Sequence, residues 1–116
     1  ELRQETWGWE IDSRPLFRAL LSDLREGLPV SGISRKFHNA LVEVFDRLAV
    51  MLLERFGLNR VCLSGGTFQN AYLLERLTAR LEDNGLQVFS HTEVPAGDGG
   101  LSLGQVLVAA RRARSA

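Results

Sequence analysis

Two glycine-rich segments hold the residues of this chain best suited to chemistry. Ser64-Gly65-Gly66-Thr67-Phe68-Gln69-Asn70 follows a short apolar run, Arg60 to Leu63, and precedes a helix-patterned run from Tyr72 to Leu81. A strand that ends in a glycine pair and feeds a helix exposes backbone N–H groups at the positive end of the helix dipole. That arrangement suits a phosphate or another anion. A second turn, Pro95-Ala96-Gly97-Asp98-Gly99-Gly100, opens another helical run and adds a carboxylate. If both turns leave the same ends of two parallel strands, they face one crevice, where open α/β sheets bind ligands. Gly65, Gly66, Asn70, Asp98 and Gly99 are the residues expected on that surface.

Each of them also has a purely structural role open to it. The glycine pair allows a tight strand-to-helix turn and close packing. Asn70 and Asp98 both belong to the residue types that cap helix N-termini. His38 and His91 are far apart and form no recognisable ligand pair with Asp98. His38 reads as a packed or capping residue and His91 as a loop residue on the rim of the crevice. Ser64 adjoins the glycines, but no base partner can be named for it from the sequence. Trp7 and Trp9 alternate on one extended segment and suit a core or a domain interface better than base stacking.

The elements that must position these residues follow from periodicity. Residues 5–11 alternate and fit a short strand or an extended arm. Asp12 and Ser13 can cap a helix with Pro15 in its first turn. Its apolar face is Leu16, Phe17, Leu20, Leu21 and Leu24, and Gly27 ends it. A turn or helical start follows from Pro29 through Ile33. The long helix is expected from about Arg35 to Phe56, with Phe37, Leu41, Val44, Phe45, Leu48 and Leu52 on one face. Val42, Ala49, Leu53 and Phe56 widen that face, and Gly57 caps the helix. Arg60 to Ser64 reads as a strand covered on both faces, because its centre (Val61, Cys62, Leu63) is continuously apolar. Cys62 is therefore expected in the core.

A helix over 70–84 with Leu73, Leu74, Leu77 and Leu81 inward ends at Gly85. Gln87 to Ser90 is a second strand, made parallel to the first by a right-handed crossover. The last helix begins near Asp98 with Leu101, Leu103, Val106, Leu107 and Ala110. Arg111, Arg112 and Arg114 read as its solvated end. The fold class is thus α/β, helix-rich, with a small parallel sheet flanked by helices. Residues 1–57 are mainly helical, and 58–116 form a strand–helix–strand–helix unit. Two or three strands are few for a doubly wound domain, which marks the chain as a piece of a larger one.

Composition narrows the function. At 116 residues, 45% hydrophobic and 24% charged, the chain is an ordinary globular domain in size and make-up. Zero net charge argues against a nucleic-acid surface. No apolar run approaches the ~20 residues that span a bilayer, so no membrane partner is expected. One cysteine excludes an internal disulfide, and a cytoplasmic location is expected.

Residues 63–105, LSGGTFQNAYLLERLTARLEDNGLQVFSHTEVPAGDGGLSLGQ, resemble the end of the hydrogenase-maturation carbamoyltransferases of the HypF family. There a strand leads into SGGxFQN, a leucine-rich helix and a VPxxDGGxxxGQ turn. Upstream, Trp9-Glu10-Ile11-Asp12 with Arg14-Pro15-Leu16, and Phe37-His38-Asn39-Ala40-Leu41, are similar too. The resemblance covers nearly the whole chain. Ala71-Tyr72 stands where that family often has an arginine, and Ala96-Gly97 replaces a more usual proline-asparagine pair.

The resemblance implies the second half of an actin/sugar-kinase-like nucleotide-binding domain. It implies an enzyme that uses carbamoyl phosphate and ATP to make a carbamoyl-adenylate in a separate adenylate-forming domain. The carbamoyl group then passes to the C-terminal cysteine of a HypE-like maturation protein, toward the cyanide ligands of a [NiFe]-hydrogenase. Gly65, Gly66, Asn70 and Gly99 become nucleotide contacts. Asp98 becomes one ligand of a divalent iron or zinc whose histidine ligands lie upstream of this chain. The isolated chain is then expected to be inactive. An O-carbamoyltransferase or small-molecule kinase of the same fold, or a non-catalytic interaction module, remain alternatives.

Overall fold

The computed structural model describes residues 1–6 and 8–115. The chain opens on an antiparallel hairpin, β1 (Leu2–Glu5) with β2 (Gly8–Ile11), in which Leu2 faces Ile11 and Glu5 faces Gly8. The single extended segment expected over 5–11 is thus the end of one strand, a turn and a second strand. Alternation alone cannot reveal a turn placed inside it. Trp7 lies outside the described residues. Trp9 is half-buried, with the Arg55 guanidinium 5.9 Å from its ring centroid.

Helix α1 (Arg14–Arg25) begins where Pro15 is tolerated. Its first N–H is served by Asp12, one residue earlier than the formal cap. Asp12 Oδ1 accepts from the Arg14 backbone N–H at 3.1 Å, and its carboxylate also takes Arg14 Nε at 2.8 Å. Arg3 Nη2 lies 2.6 Å away, so buried Asp12 ties the hairpin to the helix. The Arg14 side-chain hydrogen bond lowers the Asp12 pKa to about 2, against an opposing push from burial.

Helix α2 runs unbroken from Val30 to Phe56, so of the turn or helical start expected from Pro29 through Ile33 the structure has the helical start. The Pro29 carbonyl accepts from the N–H groups of Gly32 and Ile33 at 2.9 and 3.1 Å, and Ile33 is buried. Gly57 ends the helix at φ 67°, its N–H on the Leu53 carbonyl at 2.8 Å. The buried stripe is Ile33, Val42 and Asp46, with Ala49 and Leu53 beside it. The Phe45 side of the helix, expected to be primary, is the more exposed one. The stripe's centre is Asp46, a carboxylate accepting from Arg80 Nε at 3.1 Å and Asn84 Nδ2 at 2.7 Å. Hydrophobic periodicity passes over such a residue because its burial depends on partners from another helix.

Strands β3 (Arg60–Leu63) and β4 (Gln87–Ser90) are parallel, with Val61 beside Val88 and Leu63 beside Ser90. Helix α3 (Ala71–Asp83) makes the crossover. Leu63, Leu73, Leu77, Leu81 and Leu86 form the core with Val42 of α2. The expectation that β3 is covered on both faces is corrected here. Val61 and Val88 pack on the core, whereas Cys62 is exposed and its neighbour Phe89 is 51% exposed. Only one face of this two-stranded sheet is covered.

Helix α4 (Leu101–Ser115) follows a 3-10 turn over Asp98–Gly100, and its apolar residues Leu101, Leu103, Val106 and Leu107 are exposed. The molecule is accordingly extended, 61 × 32 × 27 Å, with a radius of gyration of 17.4 Å. A compact domain of about 100 residues has about 13 Å. The uncovered sheet face and α4 leave apolar surface of the kind a larger domain buries. No helix among the described residues is long and apolar enough to cross a membrane.

Candidate functional site

Both glycine turns leave the C-terminal ends of the parallel pair, because the crossover returns the chain to the same side of the sheet. They touch each other. Gly65 N–H donates to the Ala96 carbonyl at 2.8 Å, and a Cβ on Gly97 would sit 3.6 Å from Gly66 Cα. Between the turns and α4 lies a cleft of about 690 Å³, walled by Ser64, Gly65, Gly66, His91, Asp98 and Arg112 among others.

The glycines of the two turns serve different ends. Gly65 sits at φ 107°, which side chains rarely adopt. Gly100 is fixed by contact, since a Cβ there would lie 2.6 Å from the Pro95 carbonyl oxygen. Gly66 has neither constraint, and a Cβ on it would meet nothing within 4 Å. Open space thus surrounds the place of its missing side chain, and Gly66 lines the cleft. The Gly65 N–H is taken by Ala96, so the N–H groups open to an anion are those of Gly66 and Thr67. These are the first positions of a 3-10 turn, Gly66–Gln69, and have no acceptor within it.

Three of the five expected residues, Gly65, Gly66 and Asp98, share this cleft. Asp98 is exposed there and its carboxylate has no protein partner among the described residues. Gly99 is next to it, 3.4 Å from Pro95 Cγ as measured to a Cβ it would carry, and is not on the wall. Asn70 stands apart. It caps α3, accepting the Leu73 N–H at 3.1 Å, and lines a smaller pocket with Ser31, Ser34, Arg35, His38 and Tyr72. No cluster of three or more potential metal ligands occurs among the described residues. Asp98 can therefore supply one ligand here and no more.

Two features of the cleft escaped sequence reasoning. Ser64 Oγ and His91 Nε2 are 2.9 Å apart, so the serine does have a histidine beside it, 27 residues on. The parallel register sets Leu63 beside Ser90, and the next residue of each strand must then meet; that pairing was the available signal. Arg112, expected in a solvated end, lines the cleft.

The family model of the carbamoyltransferase Kae1-like domain, second subdomain, matches residues 1–105. The carbamoyltransferase HypF of Synechocystis sp. is 35% identical over 97 residues, 84% of this chain and 12% of that protein. That of Rhodobacter capsulatus is 36% identical over 108 residues, 93% of this chain and 14% of its own. Full-length HypF in its phosphate- and nucleotide-bound form superposes with a TM-score of 0.91 at 42% identity, over 94% of this chain and 14% of that one. T. kodakarensis HypF superposes at 0.78 with 33% identity and the same coverage. The chain thus spans about one eighth to one seventh of the proteins it matches. With both glycine turns inside the matched residues, it belongs to the HypF carbamoyltransferases, as the second subdomain of their Kae1-like domain.

Proposed function

We propose that this chain is the transfer half-site of a carbamoyltransferase that acts on carbamoyl phosphate and ATP. In this reading a carbamoyl-adenylate, made in another domain, is held in the cleft between the glycine turns. The sulfur of a HypE-like protein's C-terminal cysteine bonds to the carbamoyl carbon as the carbon–oxygen bond to the adenylate phosphate breaks. AMP leaves as an anion, and the thiol proton passes to solvent. Backbone N–H groups aimed at that phosphate would stabilise the charge it gains in the transition state.

The observation that carries this reading is Gly66, which lines the cleft and where neither backbone angle nor packing calls for glycine. A close ligand approach does call for it. The relative solved with phosphate and nucleotide bound supports the same assignment. Gly65 shapes the turn, Gly66 and Thr67 offer N–H groups to phosphate, and Gly99 keeps the second turn close to it. Asn70 would contact the nucleotide from its own, separate pocket. A divalent iron or zinc, where bound, would take Asp98 as one ligand and polarise the carbamoyl group.

The test is to give the full-length protein carbamoyl phosphate, ATP and a HypE-like acceptor, and to follow the acceptor's C-terminal cysteine by mass spectrometry. Carbamoylation that requires both substrates supports the reading. An unmodified cysteine, with phosphoryl transfer from ATP to a small molecule instead, would favour a kinase.

A further inference from the structure

The N-cap of α3 is joined to α2 by a chain of hydrogen bonds whose polarity is fully determined. Asn70 Oδ1 accepts the Leu73 backbone N–H at 3.1 Å. A backbone N–H can only donate, so the amide oxygen must face the helix and Nδ2 must face outward. Nδ2 lies 2.9 Å from His38 Nε2. Two donors cannot share that distance, so Nε2 carries the lone pair. His38 Nδ1 is 2.8 Å from the Ser34 carbonyl, which can only accept, so Nδ1 carries the proton. The ring is therefore neutral and in one tautomer. Phe37 and Tyr72 hold it edge-on, with centroids at 5.6 and 5.9 Å. Tyr72 is fixed in turn by its hydroxyl on Asn39 Oδ1 at 2.7 Å.

We infer that His38 is a positioning residue that sets which hydrogen-bonding face Asn70 shows to the nucleotide. The inference rests on the reading of Asn70 as a nucleotide contact. With Leu73 and His38 served, Asn70 retains one N–H and one oxygen lone pair, a complement to a hydroxyl that both donates and accepts. Without the His38 acceptor, the amide loses one of the two contacts that fix it. Protonating His38 does the same, because it sets a donor against a donor. The charged group beside the ring is Arg35 of α2, and the other titratable side chain is Tyr72 of α3. Arg35 has no acceptor to offer, and the Tyr72 hydroxyl is held by its bond to Asn39 Oδ1 at 2.7 Å.

The experiment measures binding of AMP, the nucleotide the proposed transfer releases, to the full-length protein and its His38→Ala, His38→Gln, Asn70→Ala and double-alanine variants. Asn70→Ala and His38→Ala are each expected to weaken binding about three- to tenfold, the factor one lost hydrogen bond supplies. The double variant should be no weaker than Asn70→Ala, since His38 acts through that residue. His38→Gln offers a carbonyl acceptor that does not titrate. It should restore affinity, which a merely structural ring would not allow.

A weak Asn70→Ala variant beside an unchanged His38→Ala, or additive effects in the double variant, overturns the inference alone. Wild-type affinity in Asn70→Ala overturns the reading of Asn70 and the inference with it. Nitrogen-15 spectroscopy of the histidine-labelled full-length protein, with His38→Gln identifying the signal, gives a check that does not depend on affinity. A neutral ring protonated at Nδ1 is expected, and a ring protonated at Nε2 overturns the inference.

Discussion

Gly65 donates its N–H to the Ala96 carbonyl at 2.8 Å, so the two glycine turns are bonded to each other at the base of the cleft. A ligand held by one turn is therefore placed relative to the other. Asp98, two residues after Ala96, inherits its position from this bond, and Ser64, just before Gly65, is set against His91 on the same rim.

The glycines should separate by function when replaced with alanine. Gly100→Ala drives a Cβ to 2.6 Å from the Pro95 oxygen, so the second turn must shift. A loss of about 1–3 kcal/mol of stability is expected, seen as a lower melting temperature of the full-length protein. Gly66→Ala meets no neighbour and should leave melting nearly unchanged while weakening nucleotide binding at least tenfold, about 1.4 kcal/mol. Equal effects of the two on melting contradict this division.

Asp98→Ala should leave the fold intact, because the carboxylate has no protein partner to lose. The full-length variant is expected to bind less iron or zinc than the wild type, measured by metal analysis after dialysis. Unchanged metal content would make Asp98 a bystander.

Asp46 anchors α3 on α2 through Arg80 and Asn84, and it is 4% exposed. Asp46→Ala removes both bonds and should cost about 2 kcal/mol, read from denaturant or thermal unfolding. Arg80 is half in solvent, so no buried charge is stranded and the larger penalties of broken buried pairs do not apply.

Asp12 gives the fold an acid limit with a defined sign. Its folded pKa, lowered to about 2 by the Arg14 hydrogen bond, is below the ~3.9 of an unfolded aspartate. Its stabilising contribution is therefore complete above about pH 4 and is lost as pH falls toward about 2. Asp12→Asn should flatten this part of the melting-temperature profile. An unchanged acid slope in the variant would assign the effect to other carboxylates.

The β3–α3–β4 unit was legible because each signal in it agreed: an apolar run, a leucine stripe at helical spacing, and glycine stops at both ends. The cleft was legible for the same reason, since a parallel pair sends both turns to one side. What was hidden depended on contacts distant in sequence. Cys62 read as core because a three-residue apolar run looks alike in one-sided and two-sided strands. Asp46 and the Ser64–His91 pair have no local pattern at all. Asn70 shows the limit from the other side: its motif places it with the glycines, while it caps α3 and lines a separate pocket.

The central claim, that this subdomain performs transfer and not adenylate formation, is tested most directly by one measurement on full-length Asp98→Ala. Supplied with carbamoyl phosphate and ATP, the variant should accumulate carbamoyl-adenylate at the wild-type level. With a HypE-like acceptor present, its C-terminal cysteine should stay unmodified where the wild type carbamoylates it. Carbamoylation by the variant at near wild-type rate would contradict the account.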